Sequence, residues 1–125
     1  MNDNNTEQST REKGKEGEEA ACRFLEDLGY TIVKTNFHFG TLGEIDIIAK
    51  DKDILVFVEV KSKKPESDFN LLDSLTPRKQ KNLKRVAEGY YYVNKISDVE
   101  SRFDVITVDF KLEPPEIVHY KCAFY

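Results

Sequence analysis

The stretch GEIDIIAKDKDILVFVEVKSK, residues 43–63, constrains the fold more than any other part of the chain. Residues 44–49 and 54–61 are rich in isoleucine, valine and phenylalanine, and the polar run KDKD lies between them. Such residues fit the pleated surface of a strand, so the stretch predicts a hairpin that belongs in a core. Yet Glu44, Asp46, Glu59 and Lys61 are set into it. Side chains alternate along a strand. Glu44, Asp46 and Ile48 therefore share a face of the first strand, and Leu55, Phe57, Glu59 and Lys61 share a face of the second. A tight turn centred on Asp51 and Lys52 pairs Ala49 with Ile54 and Asp46 with Phe57, leaving Asp46 and Glu59 diagonal neighbours. A two-residue shift of register keeps them together, whereas a one-residue slip or a bulge separates them.

Convergent carboxylates repel one another and are costly to desolvate. A divalent cation between them offsets that cost, and oxygen-only ligands select a hard ion, Mg2+ or Mn2+. A metal beside a lysine suits phosphodiester hydrolysis: the metal activates water, and the ammonium orients it or stabilises developing charge. The plainer alternative is that these charges lie near strand ends and are only solvated or paired with one another.

The rest of the chain frames the hairpin. Between Lys15 and Leu28, the residues Ala21, Cys22, Leu25 and Leu28 recur at spacings of three and four, forming an apolar helical stripe that stops at Gly29. Residues 30–35 read as a strand, 36–43 as a loop and 62–75 as a long irregular connection. Thr76 and Pro77 mark a helix start, N-cap followed by proline, and the helix runs to Val93 with Leu83, Val86, Ala87, Tyr90 and Val93 inward. Residues 102–110 form a strand and 117–120 a last short one. The order α-β-β-β-α-β-β predicts a mixed α/β domain, helices packed on a sheet, over residues 13–125. Residues 1–12 are polar and are expected to be a flexible tail.

Two further groups extend the inward stripes of the helices. Glu18 precedes Ala21, Cys22 and Leu25 by three, four and seven residues, which sets a carboxylate on the inner face of the first helix. A helix-dipole role near the N-terminus explains it equally well. Lys79 precedes Leu83 by four, with Gln80 beside it. Both suit a phosphate or a water, and a snorkelling surface lysine is the alternative.

Composition bounds the function. A chain of 125 residues, 39% apolar and 34% charged, suits one soluble globular domain. No apolar run reaches the roughly 20 residues of a membrane span, and the N-terminus lacks the apolar core of a signal peptide, so a cytoplasmic location is expected. Cys22 and Cys122 form no CxxC, and His38 and His119 are isolated in the sequence, which argues against a zinc site. A net charge of −4 argues against general nucleic-acid binding. Residues 61–85, however, carry eight basic side chains against three acidic ones, enough for a local face toward phosphates or merely for a solvated helix.

The segments GEEAACRFLEDLGY, GEIDIIAKD, LVFVEVK, TPRKQ, RFDVITV and IVHYKCAFY together resemble the YraN-like family of small bacterial proteins over residues 14–125. GEIDIIA followed by FVEVK is the most specific part. That family looks like the PD-(D/E)XK nuclease superfamily, close to Holliday-junction resolvases. The resemblance implies a restriction-endonuclease-like αβββαββ core, a mixed central sheet flanked by helices. It also implies a Mg2+- or Mn2+-dependent endonuclease acting on DNA, branched or structured DNA included.

Residue by residue, Asp46 resembles the motif Asp, and Glu59 and Lys61 the E-x-K pair, with twelve residues between Asp46 and Glu59. Glu18 matches the acid of the first helix. The implied metal ligands are Asp46, Glu59 and Glu18, with Lys61 placing water and stabilising charge. Arg78, Lys79, Gln80, Lys63 and His38 are the implied contacts to the DNA backbone, and residues 62–75 its cover. Glu44 belongs to the GEID run, although the superfamily requires no acid there. Ile45 replaces the proline of the superfamily name, and His38 and Lys63 stand where arginine is more usual. Junction-resolving relatives act as dimers, so a homodimer through a strand edge or the GYYYVN end of the second helix is an implied partner. Two other classes remain open: a non-catalytic nucleic-acid-binding module on the same fold, and a protein-interaction domain whose acids are structural.

Overall fold

A computed structural model describes residues 3–63 and 75–124, with backbone alone for residues 3–13 and Lys63. The elements are α1 (Asp3–Asp27), β1 (Thr31–His38), β2 (Glu44–Asp51), β3 (Ile54–Lys63), α2 (Pro77–Val93), β4 (Ser101–Asp109) and β5 (Glu116–Phe124). This is the αβββαββ order expected from the sequence. The five strands form one sheet in the order β1-β2-β3-β4-β5. Only the β3–β4 pair is parallel, and α2 lies in the connection between its strands. Central β3 is apolar without alternation from Ile54 to Val58 because both of its faces are covered.

Each helix closes one face. α2 packs Leu83, Val86, Ala87 and Tyr90 on Ile45, Ile48, Phe57 and Val105. α1 packs Ala21 and Leu25 on Ile47, Ala49, Val56, Val58 and Ile106. Burying a side chain such as Phe57 or Leu25 contributes about 1.5–3 kcal/mol. Thr76 caps α2 by accepting the Lys79 N–H at 3.2 Å, as the Thr-Pro pair predicts. Gly89 of α2 has no room for a Cβ, which would strike the ring of Phe39. The loop that leads into Glu44 is thereby held on α2.

Several details differ from the sequence reading. The α1 backbone is helical from Asp3 rather than from Lys15. Leu28 follows the end of α1 and is 52% exposed, and Val93 at the end of α2 is 56% exposed, so the apolar stripes end at Leu25 and Tyr90. β1 carries on to His38, through residues read as a loop, and β5 spans nine residues.

Asp104 of β4 is buried on the α1 side at 1% exposure. It accepts from Arg102 Nε at 3.1 Å, His119 Nε2 at 2.8 Å and the Cys122 N–H at 3.0 Å. Arg102 also reaches Asp51 at 3.2 Å and the Tyr30 hydroxyl at 2.7 Å. Burial raises the pKa of Asp104, but the bonds from His119, Cys122 and Arg102 outweigh it and hold the group below the ordinary carboxylate value.

Candidate active site

The hairpin strands part at one end of the sheet. β2 and β3 pair from Asp51 with Ile54 to Ile47 with Val58, so the turn is Lys52–Asp53 and the register lies two residues from the tight hairpin expected. The next rung would set Asp46 opposite Glu59. Instead the Val60 N–H donates to Asp46 Oδ2 at 2.8 Å, and a carboxylate stands where a ladder carbonyl would be. β1 is irregular at the same level: Thr35 pairs with Ile47 and Phe37 with Ile45, while Asn36 between them has φ of 54°. Ile45 and Ile48 pack toward α2 while Ile47 packs toward α1. Strict alternation would have put Ile45 beside Ile47, so β2 changes phase at Asp46.

α1 completes the cluster. Gly17 is buried against Ser62 of β3, with no space for a Cβ. This close approach carries the adjacent Glu18 to the strand ends. Glu18, Glu44 and Asp46 each present an oxygen, all within 4.8 Å of one another. Asn36 Nδ2 donates to both oxygens of Glu18 at 3.1 Å and to Glu44 Oε1. Glu59 faces them from β3. Its Oε1 pairs with Lys61 Nζ at 3.5 Å and Lys79 Nζ at 3.4 Å. Its Oε2 is buried and, among the described residues, has no hydrogen-bond partner.

The electrostatics follow from burial and like charge. Burial, then Glu59, then Glu18 and Glu44 push the Asp46 carboxyl up to about 8 against the opposing bond from Val60. Burial raises Glu18 as well, and Asn36 offsets part of the rise. Burial lowers the Lys61 ammonium, Lys79 lowers it further, and Glu59 acts in the other direction. A carboxyl held protonated near neutral pH beside an orphaned carboxylate oxygen is a site short of positive charge. The clustered donors Glu18, Glu44 and Asp46 are all carboxylates, a set that fits a hard divalent cation.

A family model for "Uncharacterised protein family UPF0102" matches residues 17–108, which include every residue of this cluster. The chain belongs to that family. UPF0102 is the YraN-like family to which the motifs pointed. A UPF0102 protein of Acetivibrio thermocellus is 40% identical over 119 residues, covering 91% of this chain and 92% of the relative. One from Caldicellulosiruptor saccharolyticus is 44% identical over 98 residues, 78% and 82% of the two chains. One from Dehalococcoides mccartyi is 35% identical over 113 residues, 90% and 93%.

The remaining sequence candidates relate differently to the UPF0102 cluster. Lys79 reaches into it through Glu59, and with Arg78 it lines an open cavity of about 300 Å³ that Glu44, Thr76 and Asn82 also line. Gln80 turns away: its Nε2 donates to the Leu75 carbonyl at 2.8 Å, bracing the start of α2. His38 is exposed, with Nε2 3.9 Å from Glu44 Oε1. The Lys63 side chain and most of the connection 62–75 lie outside the described residues. Sequence reasoning passed over Asn36 and Gly17. Asn36 had a signal: asparagine is depleted in strands and takes the left-handed region more readily than most residues, yet it sits inside TIVKTNFHF. Gly17 had none short of knowing which strand α1 meets. Among the described residues, no helix is long and apolar enough to cross a membrane.

Proposed function

We propose that the protein is a Mg2+- or Mn2+-dependent endonuclease of the PD-(D/E)XK type that hydrolyses phosphodiester bonds in DNA. The observation that carries this reading is the convergence of Glu18, Glu44 and Asp46 within 4.8 Å, with Lys61 held by Glu59 alongside. Glu18, Glu44 and Asp46 would hold the cation, with the unpartnered Oε2 of Glu59 as a further donor. Bound there, the ion would supply water activation and neutralise charge on the phosphate. Lys61 Nζ, part-buried and lowered in pKa, orients the attacking water and stabilises charge as one P–O bond forms and another breaks. Arg78 and Lys79, on the first turn of α2, hold the DNA backbone. With a net charge of −4, the affinity of this small basic face is salt-sensitive. The active form would be a homodimer in the cytoplasm, since symmetric cutting of a branch needs two sites.

The test is cleavage of labelled linear, flapped and four-way-junction DNA with and without Mn2+, beside Lys61→Ala. Metal-dependent cutting that the variant loses is the expected result. Band shifts without cutting, equal in both proteins, would replace the enzyme with a binding module on the same fold.

A further inference from the structure

Asn36 interrupts β1 in two ways. Its backbone is left-handed, and the regular pairing of β1 with β2 skips the level of Asn36 and Asp46. Asparagine is among the few residues with a side chain that adopt this conformation at small cost. Its Nδ2 donates to both oxygens of Glu18 and to Glu44 Oε1. Those two acids belong to different elements, α1 and β2, so one amide ties the helix to the strand at the carboxylate cluster.

We propose that Asn36 is a positioning residue of the cation site, fixing Glu18 and Glu44 as a preset pair of ligands beside Asp46. The inference rests on the metal-dependent reading above. An amide suits the task. It is neutral, so it supports the ionised carboxylates without adding a positive charge that would repel the cation. Each carboxylate oxygen that accepts its N–H keeps a lone pair for a metal. A lysine at this place would compete with the ion, and an alanine would leave two like charges with nothing to hold them together. The left-handed backbone is what aims the amide at both acids from the strand edge.

Calorimetric titration of the full chain with Mn2+ tests the role. Asn36→Gly keeps the left-handed backbone and removes the amide. Partners of metal ligands typically change affinity by about 10- to 100-fold, and a loss of that size is expected here, with the urea midpoint of the metal-free protein little changed. The side-chain amide resonances of Asn36 in the unmutated protein give a readout independent of any variant: they should move in step with Mg2+ uptake. Static resonances during Mg2+ binding, or equal Mn2+ affinity in Asn36→Gly, would overturn the role of Asn36 alone. A wild-type chain that takes up neither ion overturns the metal-dependent reading, and this inference with it.

Discussion

Asp46 and Asp104 are carboxylates set into strands of the same sheet, and the protein treats them in opposite ways. Asp104 is fully enclosed and accepts from a guanidinium, an imidazole and a backbone N–H. Asp46 has one backbone donor, and Glu59, Glu18 and Glu44 around it. The first is held below its ordinary pKa and the second is pushed up to about 8. Burial costs both of them, so burial does not distinguish them. The partners do. A buried charge that the chain neutralises itself belongs to the architecture. A buried cluster that it leaves under-neutralised has room for something the chain does not supply.

The largest effect that would sharpen this contrast comes from Asp104→Ala. It leaves Arg102 with Asp51 as its remaining carboxylate partner and takes the acceptor from His119 and the Cys122 N–H. Removing one partner of a buried pair costs about 3–5 kcal/mol, so urea unfolding should show a loss of that order. A loss under about 1 kcal/mol would mean that the network is not the structural counterpart described here.

The pH dependence of metal-free stability comes next, and it runs in opposite directions for the two acids. Asp46 has a folded pKa above its unfolded value, so folding takes up a proton between the ordinary carboxylate range and about 8. Its contribution is complete at low pH and fades as pH rises through that window, at up to about 1.4 kcal/mol per pH unit. Asp104 contributes above the ordinary carboxylate range and loses its contribution on acidification. Asp46→Asn should therefore flatten the decline in stability between about pH 5 and 7, a difference near 3 kcal/mol from the same slope, and make the metal-free protein the more stable one at pH 8. Denaturation curves at those pH values decide it. A variant less stable than the parent at pH 8 would make Asp46 another structural acid.

Mn2+ should then act on one region only. At a concentration about 100-fold above Kd, a ligand that binds the folded state adds about 2.7 kcal/mol. A rise in Tm with Mn2+ is expected for the parent protein and for Asp51→Asn, and none for Asp46→Asn. The smallest expected effect is that of Asp51→Asn on stability itself. Asp51 is a part-exposed partner of Arg102, whose main anchor is Asp104, so the loss should stay near or below about 1 kcal/mol in urea unfolding.

The contrast between the two acids was only half legible in the sequence. Periodicity located all seven elements in order, and the alternation of the hairpin pointed Asp46 and Glu59 toward each other. The register came out two residues away, because KDKD offers two equally polar turn centres and only the packing of Ile47, Ile48, Phe57 and Val58 chooses between them. The phase change at Asp46 was hidden for a related reason: isoleucine stands on both sides of it, and nothing in EIDII says which isoleucine belongs to which face. Asp104 sits in an equally apolar run, RFDVITV, with Arg102 two residues before it where Asp46 has Glu44. What separates them is the company each keeps, and Arg102, Tyr30 and His119 meet only when β4, β5 and the end of α1 are assembled. Local pattern shows that a strand carries a charge. Distant chain decides whether that charge is satisfied.

The N–H that Val60 directs at Asp46 makes the site audible to spectroscopy without a label. A backbone amide proton shifts when its acceptor gains a proton or shares its electrons with a cation. The Val60 resonance should therefore follow both events at one oxygen, while Val58, on a regular rung opposite Ile47, serves as an internal reference from the same strand. A pair of peaks two residues apart would distinguish an ion that reaches Asp46 from one that merely gathers at an acidic surface.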